Sequence, residues 1–140
     1  MTRILWHFRR AYRSTTYRVY LGRRRMDLRV GRRSFAAESF LQSLDTPCAV
    51  FITAHNPCSR PAGARENRAA QDRLLKDLRG LGLAGLPGEG IGQGRRWQAE
   101  ESLFVPGLTL DRARALGRKY RQNAILFLQP GRPVALILLR

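Results

Sequence analysis

The chain has 140 residues, with 26 Lys and Arg against 10 Asp and Glu, a formal net charge of +16. That length suffices for a single domain, residues 1–140, able to bury a core without disulfides or metals. No apolar stretch approaches the roughly 18 residues that cross a bilayer, so a spanning helix is excluded. Ile4-Leu5-Trp6 is too short for the apolar core of a signal peptide, and although the acid-free start before Asp27 has the composition of an organellar transit peptide, it reads as folded structure. Cys48 and Cys58 form neither a disulfide framework nor a C-x-x-C pair, which fits a reducing cytoplasm. A charge this high attracts polyanions. Yet only Lys76 and Lys119 are lysines, and an arginine bias of this kind also arises from a GC-rich genome.

Over Ile4–Tyr12 the residues Ile4, Leu5, Phe8, Ala11 and Tyr12 share one helical arc, with Arg9, Arg10, Arg13 and Trp6 on the other. A short amphipathic helix over about residues 3–13 is predicted. Tyr17, Val19 and Leu21 alternate with Arg18 and Tyr20, and after Gly22-Arg23-Arg24 Met26, Leu28 and Val30 alternate with Arg25, Asp27 and Arg29, predicting a hairpin with one apolar and one basic face. Ser34 is placed to cap a helix with an apolar stripe of Phe40, Leu41 and Leu44. Cys48–Ile52 has no alternation and stops at Asn56-Pro57, the pattern of a strand buried on both faces. A long helix follows, from about Ala64 to Leu81, with a buried stripe of Ala70, Leu74, Leu78 and Leu81.

Residues 82–94 hold five glycines after Gly82 but no phosphate-cradle motif, and read as a mobile loop. Ser102–Val105 reads as a strand and Thr109 as the cap of a helix carrying Ala113, Leu116 and Tyr120. Ala124–Leu128 and Val134–Leu139 form a closing hairpin around Pro130-Gly131. The order α-β-β-α-β-α-β-α-β-β predicts an α/β fold, with helices packed on a mixed sheet that has hairpins at both ends.

The loop after the buried strand, Thr53-Ala54-His55-Asn56-Pro57-Cys58-Ser59, lies where open α/β sheets bind ligands. Asn67 and Gln71 fall on the inward arc of the next helix, so their amides must bond either that loop or a ligand. Glu100-Glu101-Ser102 and Gln122-Asn123 head the next two strands. If both strands run antiparallel to the buried one, all these groups gather at one end of the sheet. Adjacent glutamates point to opposite faces, and Glu101 is taken as the inward one. His55 and Cys58 are too few for a metal site and need not meet as a nucleophile and base. No catalytic set and no cofactor is implied, and whether the chain is an enzyme stays open.

Tyr17-Arg18-Val19, Phe51 through Ser59, Glu66-Asn67, Leu86-Pro87-Gly88-Glu89-Gly90, Trp97 through Ser102, and Gln122-Asn123-Ala124-Ile125 occur in this order. Together they resemble the bacterial family called domain of unknown function three-two-nine-three, over about Tyr12 to Leu138. The resemblance implies that Thr53, Asn56, Pro57, Ser59, Glu66, Asn67, Glu101, Ser102, Gln122 and Asn123 are signature positions, and it brings no known reaction. The arginine excess departs from typical members, which argues against nucleic-acid binding as a family-wide role.

Three readings follow. In the first, a small polar, nucleotide-like ligand binds after Thr53, contacting Thr53, Asn56, Ser59, Glu66, Asn67, Glu101, Ser102, Gln122 and Asn123, with Arg60 and Arg65 meeting a phosphate. In the second, a basic module without catalysis binds nucleic acid through Arg9, Arg10, Arg13, Arg18, Arg25 and Arg29, with Trp6 or Tyr20 stacking on bases. In the third, the protein is structural and its polar signature only fixes loops.

Overall fold

The computed structural model describes residues 3–93 and 99–140, apart from the side chains of residues 3–8. Helix α1 (Arg3–Ser14) leads into a hairpin of β1 (Thr16–Leu21) and β2 (Arg24–Leu28), then α2 (Phe35–Ser43) and β3 (Ala49–Ile52). A single 3-10 turn (Pro57–Ser59) precedes α3 (Ala64–Gly80). The remaining elements are β4 (Leu86–Ile91), β5 (Glu100–Pro106), α4 (Leu110–Lys119), β6 (Ala124–Leu128) and β7 (Ala135–Leu138). The seven strands form one sheet in the order β2-β1-β4-β5-β3-β6-β7. Every pairing is antiparallel. The expected α/β architecture with hairpins at both ends is therefore present, with an antiparallel sheet where a mixed one was anticipated.

The sheet curls. Beyond β2, Gly31 donates its N–H to the Val134 carbonyl at 2.9 Å, and Val134 donates its own to Arg32 at 2.9 Å, which ties the two margins of the sheet together. On the inner face Met26 and Leu28 of β2, Phe51, Phe104 and Leu126 of the middle strands and Leu136 of β7 join Ala37 and Leu41 of α2 in one cluster. On the outer face Val50, Ile52, Leu103, Val105 and Ile125 pack against Ala70, Leu74 and Leu78 of α3 and Ala113 and Leu116 of α4. Strand β3 is buried along its whole length, as its unbroken apolar run predicts. Ser34 caps α2 by accepting from the Ala37 N–H at 3.2 Å.

Two helix stripes are shorter than their periodicity implies. Leu44 is the C-cap of α2 and Leu81 that of α3, and both are exposed because the chain leaves the helix there. The larger correction concerns the glycine-rich segment, of which Leu86–Ile91 is a strand in the interior of the sheet. One of its glycines is required by packing. A Cβ on Gly88 would lie 2.7 Å from the Arg18 carbonyl oxygen and 2.9 Å from the Phe51 ring, both closer than atoms can approach.

Candidate functional site

Because β5 and β6 both run antiparallel to β3, the start of β5, the residues before β6 and the loop after β3 meet at one end of the sheet. That loop is held by amides. Asn67 Oδ1 accepts the Asn56 N–H at 2.9 Å, while its Nδ2 donates to Asn56 Oδ1 at 2.9 Å, and Asn56 Oδ1 also accepts the Ala62 N–H at 3.1 Å. Gln71 accepts the Ala54 N–H at 2.9 Å, and Gln122 donates to the His55 carbonyl at 3.0 Å. Asn123 donates to Ser59 Oγ at 2.7 Å and accepts from Arg140 at 3.2 Å. Thr53 Oγ1 donates to the Glu101 carbonyl at 2.6 Å and accepts the His55 N–H at 3.0 Å. These bonds hold a strained backbone: Asn56, Cys58, Ser59 and Arg121 all have φ between 47° and 58°. Left-handed conformations outside glycine cost on the order of 1–3 kcal/mol each. The Cys58 N–H, bonded to the Arg121 carbonyl at 2.6 Å, joins two of them.

Beside this loop, among the described residues, lies a cavity of about 1020 Å³. Tyr17, Phe51, Leu126 and Leu136 give it an apolar floor, Ala11 and Tyr12 of α1 face that floor, and Asn56, Ser59 and Glu100 stand at its polar side. Register explains the hollow. Tyr17, Gly90 and Glu100 lie opposite one another across β1, β4 and β5, so a position without a side chain separates a phenol from a carboxyl on the same face. Gly88, between Val19 and Ser102, adds nothing to the hollow, because the Phe51 ring fills the space a side chain would take there.

Glu100 is the chemically distinctive group. Burial pushes its carboxyl up to about 7, opposed by one hydrogen bond from Asn56 Nδ2 to Oε1 at 3.3 Å. Burial raises Tyr12 as well, partly offset by hydrogen bonds with Ser59 and Asn123, and it raises Tyr17. Burial lowers His55, against the opposing pull of Glu101, so the imidazole is biased toward its neutral form. His55 Nε2 is 3.9 Å from Glu101 Oε2, beyond hydrogen-bond reach, and is a buried polar atom without a partner among the described residues.

Thr53, Asn56, Ser59, Asn67, Glu101, Ser102 and Gln122 border the cavity, while Glu66 and Asn123 do not. Glu66 is exposed and folds its carboxylate against Gly63 at the start of α3, where an acidic group complements the helix N-terminus. Asn123 is buried behind Ser59. Of the two glutamates, the inward one is Glu100; the Glu101 side chain is 65% exposed. Alternation predicted that only one would turn inward but could not say which without the register. Arg60 and Arg65 are exposed and away from the cavity, which Arg68 borders instead.

The basic stripe is interrupted. Arg10, Arg13 and Arg25 are exposed, but Arg9, Arg18 and Arg29 are half-buried. Arg18 forks onto Asp27 at 2.8 and 3.2 Å, and Arg29 bonds Thr16 at 3.1 Å. Tyr20 donates to Glu89 at 2.5 Å. The Trp6 side chain and Trp97 lie outside the described residues. No group of three His, Cys, Asp or Glu among the described residues converges as metal ligands, and no described helix is long and apolar enough to cross a membrane.

The family model described as protein of unknown function (DUF3293) matches residues 52–125, more than half of the chain. The chain belongs to the DUF3293 family. The matched span runs from the end of β3 to the start of β6, so it holds the amide-bonded loop, Glu100 and the glycine strand. The N-terminal hairpin and β7, expected to fall within the resemblance, lie outside the DUF3293 match. No curated protein and no solved structure matches the chain.

Proposed function

We propose that residues 1–140 act as one small-molecule-binding domain, whose ligand is about the size of a nucleotide and occupies the cavity inside the curled sheet. The observation that carries this reading is Glu100, a half-buried carboxyl facing the cavity with one amide donor. A carboxyl so perturbed in a concave, mostly apolar site is characteristic of functional positions. The volume lies at the upper end of the roughly 300–1000 Å³ range of ligand pockets. Tyr17 and Phe51 suit a planar ring, and Arg68 at the border suits an anionic group on it. The paired amides, in this reading, are the rigid wall of the pocket, and Glu100 is its contact group. The same carboxyl would act as a general acid or base if the bound molecule reacts. The unpaired cysteines Cys48 and Cys58 suit a cytoplasmic setting.

A panel of nucleoside monophosphates tested by thermal shift checks the proposal. A ligand at 100 times its Kd adds about 2.7 kcal/mol to stability. The stabilisation is expected to vanish in Ala124→Phe, which fills the floor. A panel with no stabilising member, or a shift that survives Ala124→Phe, counts against the pocket.

The nucleic-acid reading keeps one supporting observation, the exposure of Arg10, Arg13 and Arg25. The salt dependence of binding to an unspecific RNA tests it.

A further inference from the structure

We propose that Glu100 recognises an uncharged edge that sets a hydrogen-bond donor beside an acceptor, as in a carboxamide, a lactam or a nucleobase. This deepens the pocket reading and rests on it.

Geometry supplies the first argument. Oε1 of Glu100 takes the Asn56 amide at 3.3 Å, and no hydrogen bond reaches Oε2 among the described residues. Among the described residues no cation is paired with Glu100: Tyr12 of α1, Tyr17 of β1 and Phe51 of β3 line the same cavity, and β4 contributes Gly90, which has no side chain. Glu101, next in sequence, points to the other face of β5 and is largely exposed. Among the described residues, the two bases that border the same cavity are Arg68, exposed on α3, and His55, which burial biases toward neutrality. Neither is ion-paired with Glu100.

Protonation supplies the second argument. Burial holds the carboxyl near 7, so around neutral pH a large share of the molecules carry the acid form. A carboxylic acid presents one O–H donor and one carbonyl acceptor side by side. Its complement is an acceptor beside a donor. The ionised form presents two acceptors and would select a cation with two donors, which the +16 field of this chain repels.

Glutamine imitates the neutral acid, since its amide also pairs a donor with an acceptor. Glu100→Gln therefore separates recognition by the acid from recognition by the carboxylate. The probes are benzamide and benzamidine, which share a ring and a shape but differ in that the first has a donor beside an acceptor and the second is a cation with two donors. Binding would be measured by saturation-transfer NMR and calorimetry at pH 6 and pH 8.

The wild-type protein is expected to prefer benzamide and to bind it about tenfold more weakly at pH 8 than at pH 6, because the acid fraction falls by that factor across a group titrating near 7. Glu100→Gln is expected to keep benzamide binding and lose the pH dependence. Preference for benzamidine, or loss of benzamide binding in Glu100→Gln, overturns the inference while leaving the pocket in place. Failure of both probes to bind, or binding indifferent to Ala124→Phe and to Ser102→Leu, overturns the pocket reading and this inference with it.

Discussion

The two faces of the sheet are built from the same strands but filled differently. On the outer face α3 and α4 lay Leu74, Leu78, Ala113 and Leu116 onto Val50, Ile52 and Val105, all of them buried. On the inner face α2 covers one end with Ala37 and Leu41, and α1 brings Ala11 and Tyr12 over a hollow. Both faces have an apolar floor, so hydrophobicity does not distinguish them. The difference lies in β4, where Gly90 gives the inner face a position without a side chain beside the cavity. A domain that needed only stability would gain by filling that space, since unfilled volume forfeits contacts.

The contrast predicts unequal responses to truncation. Leu74→Ala, on the filled face, should lose about 2–5 kcal/mol in chemical denaturation. Leu136→Ala, on the floor of the hollow, should lose less than half as much, since it enlarges a space already present. Equal losses would mean that the inner face is as tightly packed as the outer one.

The second response concerns the wall. Asn67→Leu keeps the size of the side chain but leaves the Asn56 N–H without its acceptor, and should cost on the order of 1–3 kcal/mol. Unchanged stability would contradict the claim that these amides hold the strained loop.

Glu100 should act through pH. Its carboxyl titrates higher in the folded protein than the ordinary 4.5, so the folded state retains a proton that the unfolded chain releases. Its contribution to stability is full below about 4.5 and is lost as pH rises to about 7. The total is on the order of 2 kcal/mol once partial exposure is allowed for. Glu100→Gln should abolish this slope in urea titrations between pH 5 and pH 8, and be the more stable protein at pH 8. An identical slope in the variant would assign the dependence to another group.

The smallest effect is expected at the basic face. Changing Arg10, Arg13 and Arg25 together to Gln should alter stability by no more than about 0.5 kcal/mol, because these side chains are exposed. If they contact phosphates, the log–log salt slope for an unspecific RNA should flatten by about two to three units. No change in slope removes this face from the nucleic-acid reading.

Much of this arrangement was legible in the sequence because it rests on local rules. Periodicity found both hairpins, α3 and the double-sided burial of β3, and it turned Asn67 inward while leaving open whether its amide met the loop or a ligand. What escaped depends on partners distant in the chain. Strand β4 reads Leu-Pro-Gly-Glu-Gly-Ile, a turn-like composition that local propensity assigns to a loop. Only the Phe51 ring and the Arg18 backbone, both contributed by other strands, explain why glycine is required at Gly88. For the same reason the choice between Glu100 and Glu101 needed the register with Gly90 and Glu89. Alternation put Asp27 on the basic face, but only the cross-strand register shows that Asp27 and Thr16 take up Arg18 and Arg29.

The site depends on a hollow dry enough to hold Glu100 as an acid. A carbon-detected NMR titration of the Glu100 side-chain carboxyl, assigned by comparison with Glu100→Gln, measures this directly. A midpoint near 7 is expected. A midpoint at the ordinary 4.5 would show Glu100 to be an open, solvated strand end and would contradict the site built around it.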